Sequence, residues 1–153
     1  MDIKIIKSIF RNLEGYENNT LTIDFLAAKR VYELESDENI VTKLVNNIYK
    51  LNSISLAGIN ASGKTTTLNI ISDNLKVFIQ NQSLNYQMII SNYFEEQLEI
   101  ENYFYYDGFV YKLTSFIKKD NGNQSLIFDE EFLYKKKVNS NIAKKRFSSF
   151  RRC

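Results

Sequence analysis

The sequence predicts an α/β fold in which a mixed sheet carries an antiparallel β meander. Three observations predict it. Ser53 to Ala57 is a short, mostly apolar run ended by Gly58, as a buried parallel strand would be, and a helical pattern begins at Lys64. Glu99 to Ile117 is β-branched and aromatic, with Asp107-Gly108 as a hairpin turn in its middle. Ile3 to Phe10 and Leu21 to Phe25 are two further strand-like runs, separated by Gly15 and Asn18-Asn19.

Taken in order, the first two runs predict an antiparallel pair joined by a loop. Residues 37 to 50 place Ile40, Val41, Leu44, Val45 and Ile48 at helical spacing, with Ser36 or Asp37 as N-cap, and predict a helix. From Lys64 onward Leu68, Ile71, Leu75 and Phe78 or Ile79 fall on one helical face. Residues 83 to 98 are expected to add more helix. The meander follows, as Glu99 to Tyr106, Phe109 to Ile117 and, beyond an Asn121-Gly122 turn, Ser125 to Phe128.

Composition bounds the function. The chain of 153 residues is long enough to bury a core, and 44% hydrophobic with 25% charged residues is an ordinary globular balance. No apolar run approaches the roughly 20 residues that span a bilayer. Histidine is absent, which removes the commonest general base and metal ligand, and the single Cys153 excludes a disulfide within the chain. A reducing, cytoplasmic setting is expected. From Lys135 to the end there are eight Lys or Arg and no acid, which leaves the first 134 residues with 12 basic against 18 acidic groups. An acidic body at 1–134 and a basic, poorly ordered tail at 135–153 are the expected division.

The stretch that carries chemistry is Gly58-Ile59-Asn60-Ala61-Ser62-Gly63-Lys64-Thr65, which matches G-x-x-x-x-G-K-[ST] at every fixed position. Gly58 lets the chain leave a strand sharply, and Gly63 lets backbone approach phosphate oxygens without a Cβ in the way. Successive N–H groups, those of Ala61 and Ser62 included, form a concave nest that ends at a helix N-terminus, where the macrodipole favours anions. Lys64 can reach β- and γ-phosphates, the Thr65 hydroxyl can ligate Mg²⁺, and Thr66 can donate a further hydrogen bond. The guanine-reading N-K-x-D signature is absent, so ATP is expected over GTP.

Leu126-Ile-Phe-Asp-Glu130 has the form of an apolar strand ending in the acidic pair that holds a Mg²⁺ shell and polarises water. Such a strand runs parallel to the loop strand and needs a crossover helix before it. The Asn121-Gly122 turn instead dictates antiparallel pairing, so Asp129 and Glu130 are read as a solvated end of a hairpin strand.

Phe10-Arg11-Asn12-Leu13, Thr22-Ile-Asp-Phe25 and Gly58 to Thr67 together resemble the N-terminal lobe of ABC-class AAA-family ATPases, the RecF, SMC and OLD-nuclease group that includes abortive-infection proteins of bacteria. The resemblance covers roughly residues 1 to 134 and is carried mainly by the loop. It implies a P-loop NTPase lobe in which Asn60, Gly63, Lys64, Thr65 and Thr66 contact phosphate or Mg²⁺. Arg11 would then lie near the nucleotide; a solvated loop cation is the competing reading. Ile59 and Ala61 stand where the group usually has Pro and Gly. No leucine-serine-glycine-glycine signature and no switch histidine are present. The resemblance therefore implies ATP binding here, with hydrolysis only in a complete ATPase head. The remaining part of that head, or a dimer partner, would be contributed by something outside these residues, and the chain itself would be an N-terminal piece. The alternative is a nucleic-acid or partner-binding module acting through the basic tail, where Phe147 and Phe150 interleave the cations.

Overall fold

A computed structural model describes residues 3–27, 40–45, 48–59, 63–85, 87–120, 125–138 and 151–152. The alternating run at the N-terminus forms β1 (Lys4–Arg11), and after a loop the chain returns as β2 (Thr20–Asp24), antiparallel to it. The reversal needs left-handed backbone, which Asn tolerates better than other non-glycine residues: Asn12, Asn18 and Asn19 have φ of 61°, 51° and 49°. Leu13 anchors this loop, fully buried, with its N–H donating to the Asn19 carbonyl at 3.0 Å.

The helix expected over 37 to 50 is replaced by a hairpin of β3 (Val41–Val45) and β4 (Ile48–Leu51) in the described part. The apolar spacing there fits both periods. β-Branched Val41, Thr42, Val45 and Ile48 are stiff at χ1 and favour strand. The proposed caps Ser36 and Asp37 lie outside the described residues. The hairpin is joined to the main sheet through the continuation of β2. Phe25 N–H donates to the Ile6 carbonyl (2.9 Å), Ala27 N–H to Tyr49 (3.0 Å), and Leu51 N–H returns to Phe25 (2.7 Å).

Ser53 to Ala57, expected as a buried parallel strand, pairs with no described strand and is exposed throughout. Every described strand pairing is antiparallel, so the sheet is not mixed among these residues. The helix that follows leads to no parallel neighbour. α1 (Lys64–Gln80) ends in a left-handed Asn81 (φ 53°), and the N–H groups of Asn81 and Gln82 (3.1 Å) both donate to the Lys76 carbonyl. Residues 83 to 98 do not continue it. The Asn85 side chain accepts from the Gln87 N–H at 2.9 Å, local chemistry that competes with helix, and the chain makes only a 3-10 turn at Ile89–Tyr93.

The meander is as expected and longer: β5 (Gln97–Tyr106), β6 (Phe109–Asp120) and β7 (Ser125–Lys137). Asp107 (φ 46°) and Gly108 (φ 78°) make the two-residue turn between β5 and β6; Asn121-Gly122 lies outside the described residues. β7 runs on to Lys137, so Lys135, Lys136 and Lys137 belong to the sheet, and β8 (Arg151–Arg152) pairs with Tyr134 and Lys135. The six-stranded sheet has the order β2-β1-β5-β6-β7-β8.

Strand alternation gives this sheet two unlike faces. One bears Phe10, Leu98, Ile100 and Ile117, which pack with Ile70 of α1, Ile90 and Phe94 as the main core. α1 meets it through Thr67, Ile70 and Asn74 at helical spacing, with Phe78 against Phe104 (ring centroids 5.3 Å apart). The buried stripe is therefore rotated from the expected one: Leu68 and Ile79 are exposed. Asn74 fixes the rotation, because its amide is bonded to Asn102 of β5.

Candidate functional site

The loop enters α1 through Gly63, whose φ of 78° and ψ of 11° put it in the left-handed region that L side chains avoid. A Cβ built there would meet nothing within 4 Å, so the space over Gly63 is open. The helix start is uncapped: no side chain bonds its N-cap and no acidic residue occupies its first turn. Its dipole end therefore faces outward without an internal counter-charge.

Two contacts hold this end in place. The Thr67 N–H and hydroxyl both donate to the Gly63 carbonyl, at 2.9 and 3.0 Å. The Tyr16 hydroxyl, from the loop between β1 and β2, lies 2.9 Å from the Thr67 hydroxyl. The first turn of α1 is thus tied to the N-terminal strand pair.

Lys64 folds back over the loop. Its Nζ donates to the carbonyls of Gly58 (2.9 Å) and Ile59 (2.6 Å). These two bonds draw the ammonium across the start of the loop, beside the helix terminus, and close the segment from Gly58 to Lys64 on itself. Thr65 is exposed and Thr66 half-buried. Asn60, Ala61 and Ser62 lie outside the described residues. Of the expected phosphate contacts, Gly58, Gly63, Lys64, Thr65 and Thr66 are therefore placed, at one end of one helix.

An ATP·Mg²⁺ group is what the motif implies, and the described residues fit its phosphates. An outward helix terminus, a glycine with open space above it and an ammonium at the loop are the donor set a polyphosphate takes. For the metal, the Thr65 hydroxyl is the ligand that the motif implies. Among the described residues no group of three or more acidic, His or Cys side chains could hold an ion by itself.

Asp129 and Glu130 do not join this site. β7 is antiparallel to β6, and Asp129 is the bulge residue between the pairs Phe116–Glu130 and Ile117–Phe128. Its carboxylate is taken by Lys118 Nζ at 2.7 Å and the Gln97 amide at 3.3 Å. Arg11 is neither beside the loop nor a solvated loop cation. It ends β1 on the face away from α1, with Glu99 at 2.6 Å and Glu101 at 3.1 Å.

That second face holds a charge cluster which sequence reasoning missed. The buried Glu101 carboxylate accepts from Arg11, from Lys112 at 3.1 Å and from the Tyr103 hydroxyl at 2.9 Å. Burial alone would raise its pKa; the three hydrogen bonds outweigh burial and hold it below the usual carboxylate value. Burial and the bond to Glu101 push the Tyr103 phenol up. The signal in the sequence was the phase: Glu99, Glu101 and Tyr103 alternate with the apolar Leu98 and Ile100, so they share the opposite face of β5.

Set against known proteins, the chain matches no protein-family model, no curated protein and no solved structure. No helix among the described residues is long and apolar enough to cross a membrane.

Proposed function

We propose that this chain binds ATP with Mg²⁺ through the loop Gly58 to Thr66, in the manner of the Walker A lobe of a P-loop NTPase. The observation that carries the reading is the placement of Lys64. Its ammonium bridges the Gly58 and Ile59 carbonyls next to the uncapped start of α1, where a phosphate would meet backbone N–H groups and a cation together. In this reading Lys64 neutralises β- and γ-phosphate oxygens, Gly63 gives them room, Thr65 supplies one oxygen to the metal and Thr66 a hydroxyl donor. Adenine is favoured because the chain has no guanine-reading signature.

Hydrolysis is assigned to a complete ATPase head and not to these residues by themselves. Phosphoryl transfer to water needs an oriented nucleophile and further charge around the γ-phosphate. The acidic pair lies within antiparallel β7 and not at a strand end as expected, and with Asp129 engaged by Lys118 it is a poor candidate for that work.

Calorimetric titration with ATP·Mg²⁺ tests the proposal. Lys64→Ala should weaken binding by at least about tenfold, the loss expected for a charge-assisted contact. Equal affinity in the wild type and the variant sinks it.

A further inference from the structure

Behind the C-terminal half of α1 lies a cavity of about 260 Å³, bounded by the helix, the core face of β5, β6 and β7, and the segment between Asn81 and Ile90. It is separate from the loop. Asp73, its first helical residue, follows Lys64 by nine positions, about 14 Å along a helix axis at 1.5 Å per residue. Nothing in the proposed ATP site uses it.

Its walls are unlike in kind. Val77, Phe78, Leu84, Met88, Leu113 and Ile117 make it largely apolar. The Asn74 and Asn102 amides at its floor bond each other and have little left to offer. Two carboxylates remain. Asp73 is buried, and its nearest partners stand at the long limit, the Ile90 N–H at 3.4 Å and Lys76 Nζ at 3.8 Å. Glu131, exposed at the cavity's rim, accepts from the Ser115 hydroxyl at 2.7 Å, and a carboxylate has room for a second donor. No Lys or Arg lines the cavity.

A pocket lined by apolar side chains and two carboxylates selects by charge as well as by shape. An anion would meet both carboxylates, whereas a cation would add a close partner to Asp73, whose present donors stand at 3.4 and 3.8 Å. We propose that this cavity binds a small amphipathic organic cation, an ammonium or guanidinium head held by Asp73 and Glu131 with an apolar body against Phe78 and Leu113. The volume lies just below the usual range for drug-sized ligands, about 300 Å³ upward, so the occupant is of single-ring size.

Amide chemical shifts of the full chain, titrated with three probes of matched size, test this. 2-Phenylethylamine should shift the amides of Asp73, Ile90, Leu113 and Ser115 saturably, about tenfold more tightly than 2-phenylethanol. 3-Phenylpropionate should not saturate them. Glu131→Gln keeps an acceptor for Ser115 and should leave the fold intact while loosening the amine about fivefold; Asp73→Asn is the second arm, and a loss in either variant supports the proposal. Equal affinity for the alcohol and the amine overturns it, as do shifts centred outside the cavity or two variants that bind like wild type. No saturation by any probe overturns it as well and leaves the space to protein side chains.

Discussion

Asn74 of α1 and Asn102 of β5 exchange two amide hydrogen bonds, at 2.9 and 3.0 Å, and Ser8 of β1 donates to the same Asn102 oxygen at 2.7 Å. All three residues are buried. The helix that begins at the glycine-rich loop is thus registered on the sheet by a directional contact, whereas apolar packing alone would let it slide or rotate.

Asn102→Ala should therefore cost about 2 kcal/mol or more, because it strands a buried amide and a buried hydroxyl together. Asn74→Leu combined with Asn102→Leu should cost less than the sum of the two single changes, since fewer polar groups are then left unpaired. Urea denaturation of the set is the measurement, and strict additivity would contradict the clasp.

Gly63→Ala separates backbone conformation from space. At φ 78° an alanine is strained by roughly 1 kcal/mol or slightly more, yet its methyl meets no atom. The fold should survive with a small drop in Tm. ATP affinity should fall by about tenfold or more, because the methyl would stand where the proposed site receives phosphate. An alanine variant that binds ATP as tightly as wild type would detach the loop from phosphate binding.

Acid should weaken the fold through Glu101. A carboxyl whose folded-state pKa is lowered stabilises the fold above its unfolded value, and that contribution is lost as pH falls through the folded value. Stability should therefore decline as pH drops below about 4.5, the ordinary value for the group. Glu101→Gln removes the charge and one of the two acceptor oxygens that Arg11, Lys112 and Tyr103 share, and should cost about 2 kcal/mol at neutral pH. The gap between variant and wild type should narrow on acidification. Denaturation curves at neutral and acidic pH decide it; a constant gap assigns the stabilisation to something other than charge.

Turnover by these residues alone should stay near the intrinsic rate of unassisted P-loop proteins, about 10⁻³ per second or below, and Glu130→Gln should leave it unchanged. Steady-state phosphate release reads both. A rate near one per second that disappears in the variant would place Glu130 at the reacting water and overturn the hairpin-strand reading.

Which parts were legible in the sequence follows from the range of the forces involved. The strand pair at the N-terminus and the Asp107-Gly108 hairpin are written in local chemistry, β-branched and aromatic runs with left-handed turn residues between them. The start of α1 at Lys64 was legible for the same reason, since a helix start depends on residues a few positions apart. Residues 41 to 51 misled because their spacing fits helix and strand alike. The 53 to 57 run was apolar enough for a buried strand, but burial depends on neighbours that local pattern does not name. The rotation of α1 was not legible from Leu68 and Ile79, because a polar residue, Asn74, sets it. Tyr16 and Thr67 are 51 residues apart, and no spacing rule joins them.

The pairing of β1 with β5 also imposes a timetable. Ser8 and Asn102 are 94 residues apart, so β1 leaves the ribosome long before its second neighbour exists. At about 5–20 residues per second that interval is roughly 5 to 20 s. During it β1 has β2 to pair with, while Ile6 and Phe10, fully buried in the finished fold, have no β5 or α1 against which to pack. The meander β5–β6–β7 joins neighbours close in sequence, so it should form before it pairs with the strand made first. α1, which packs on β1 and β5 together, should then settle only once those two strands are paired.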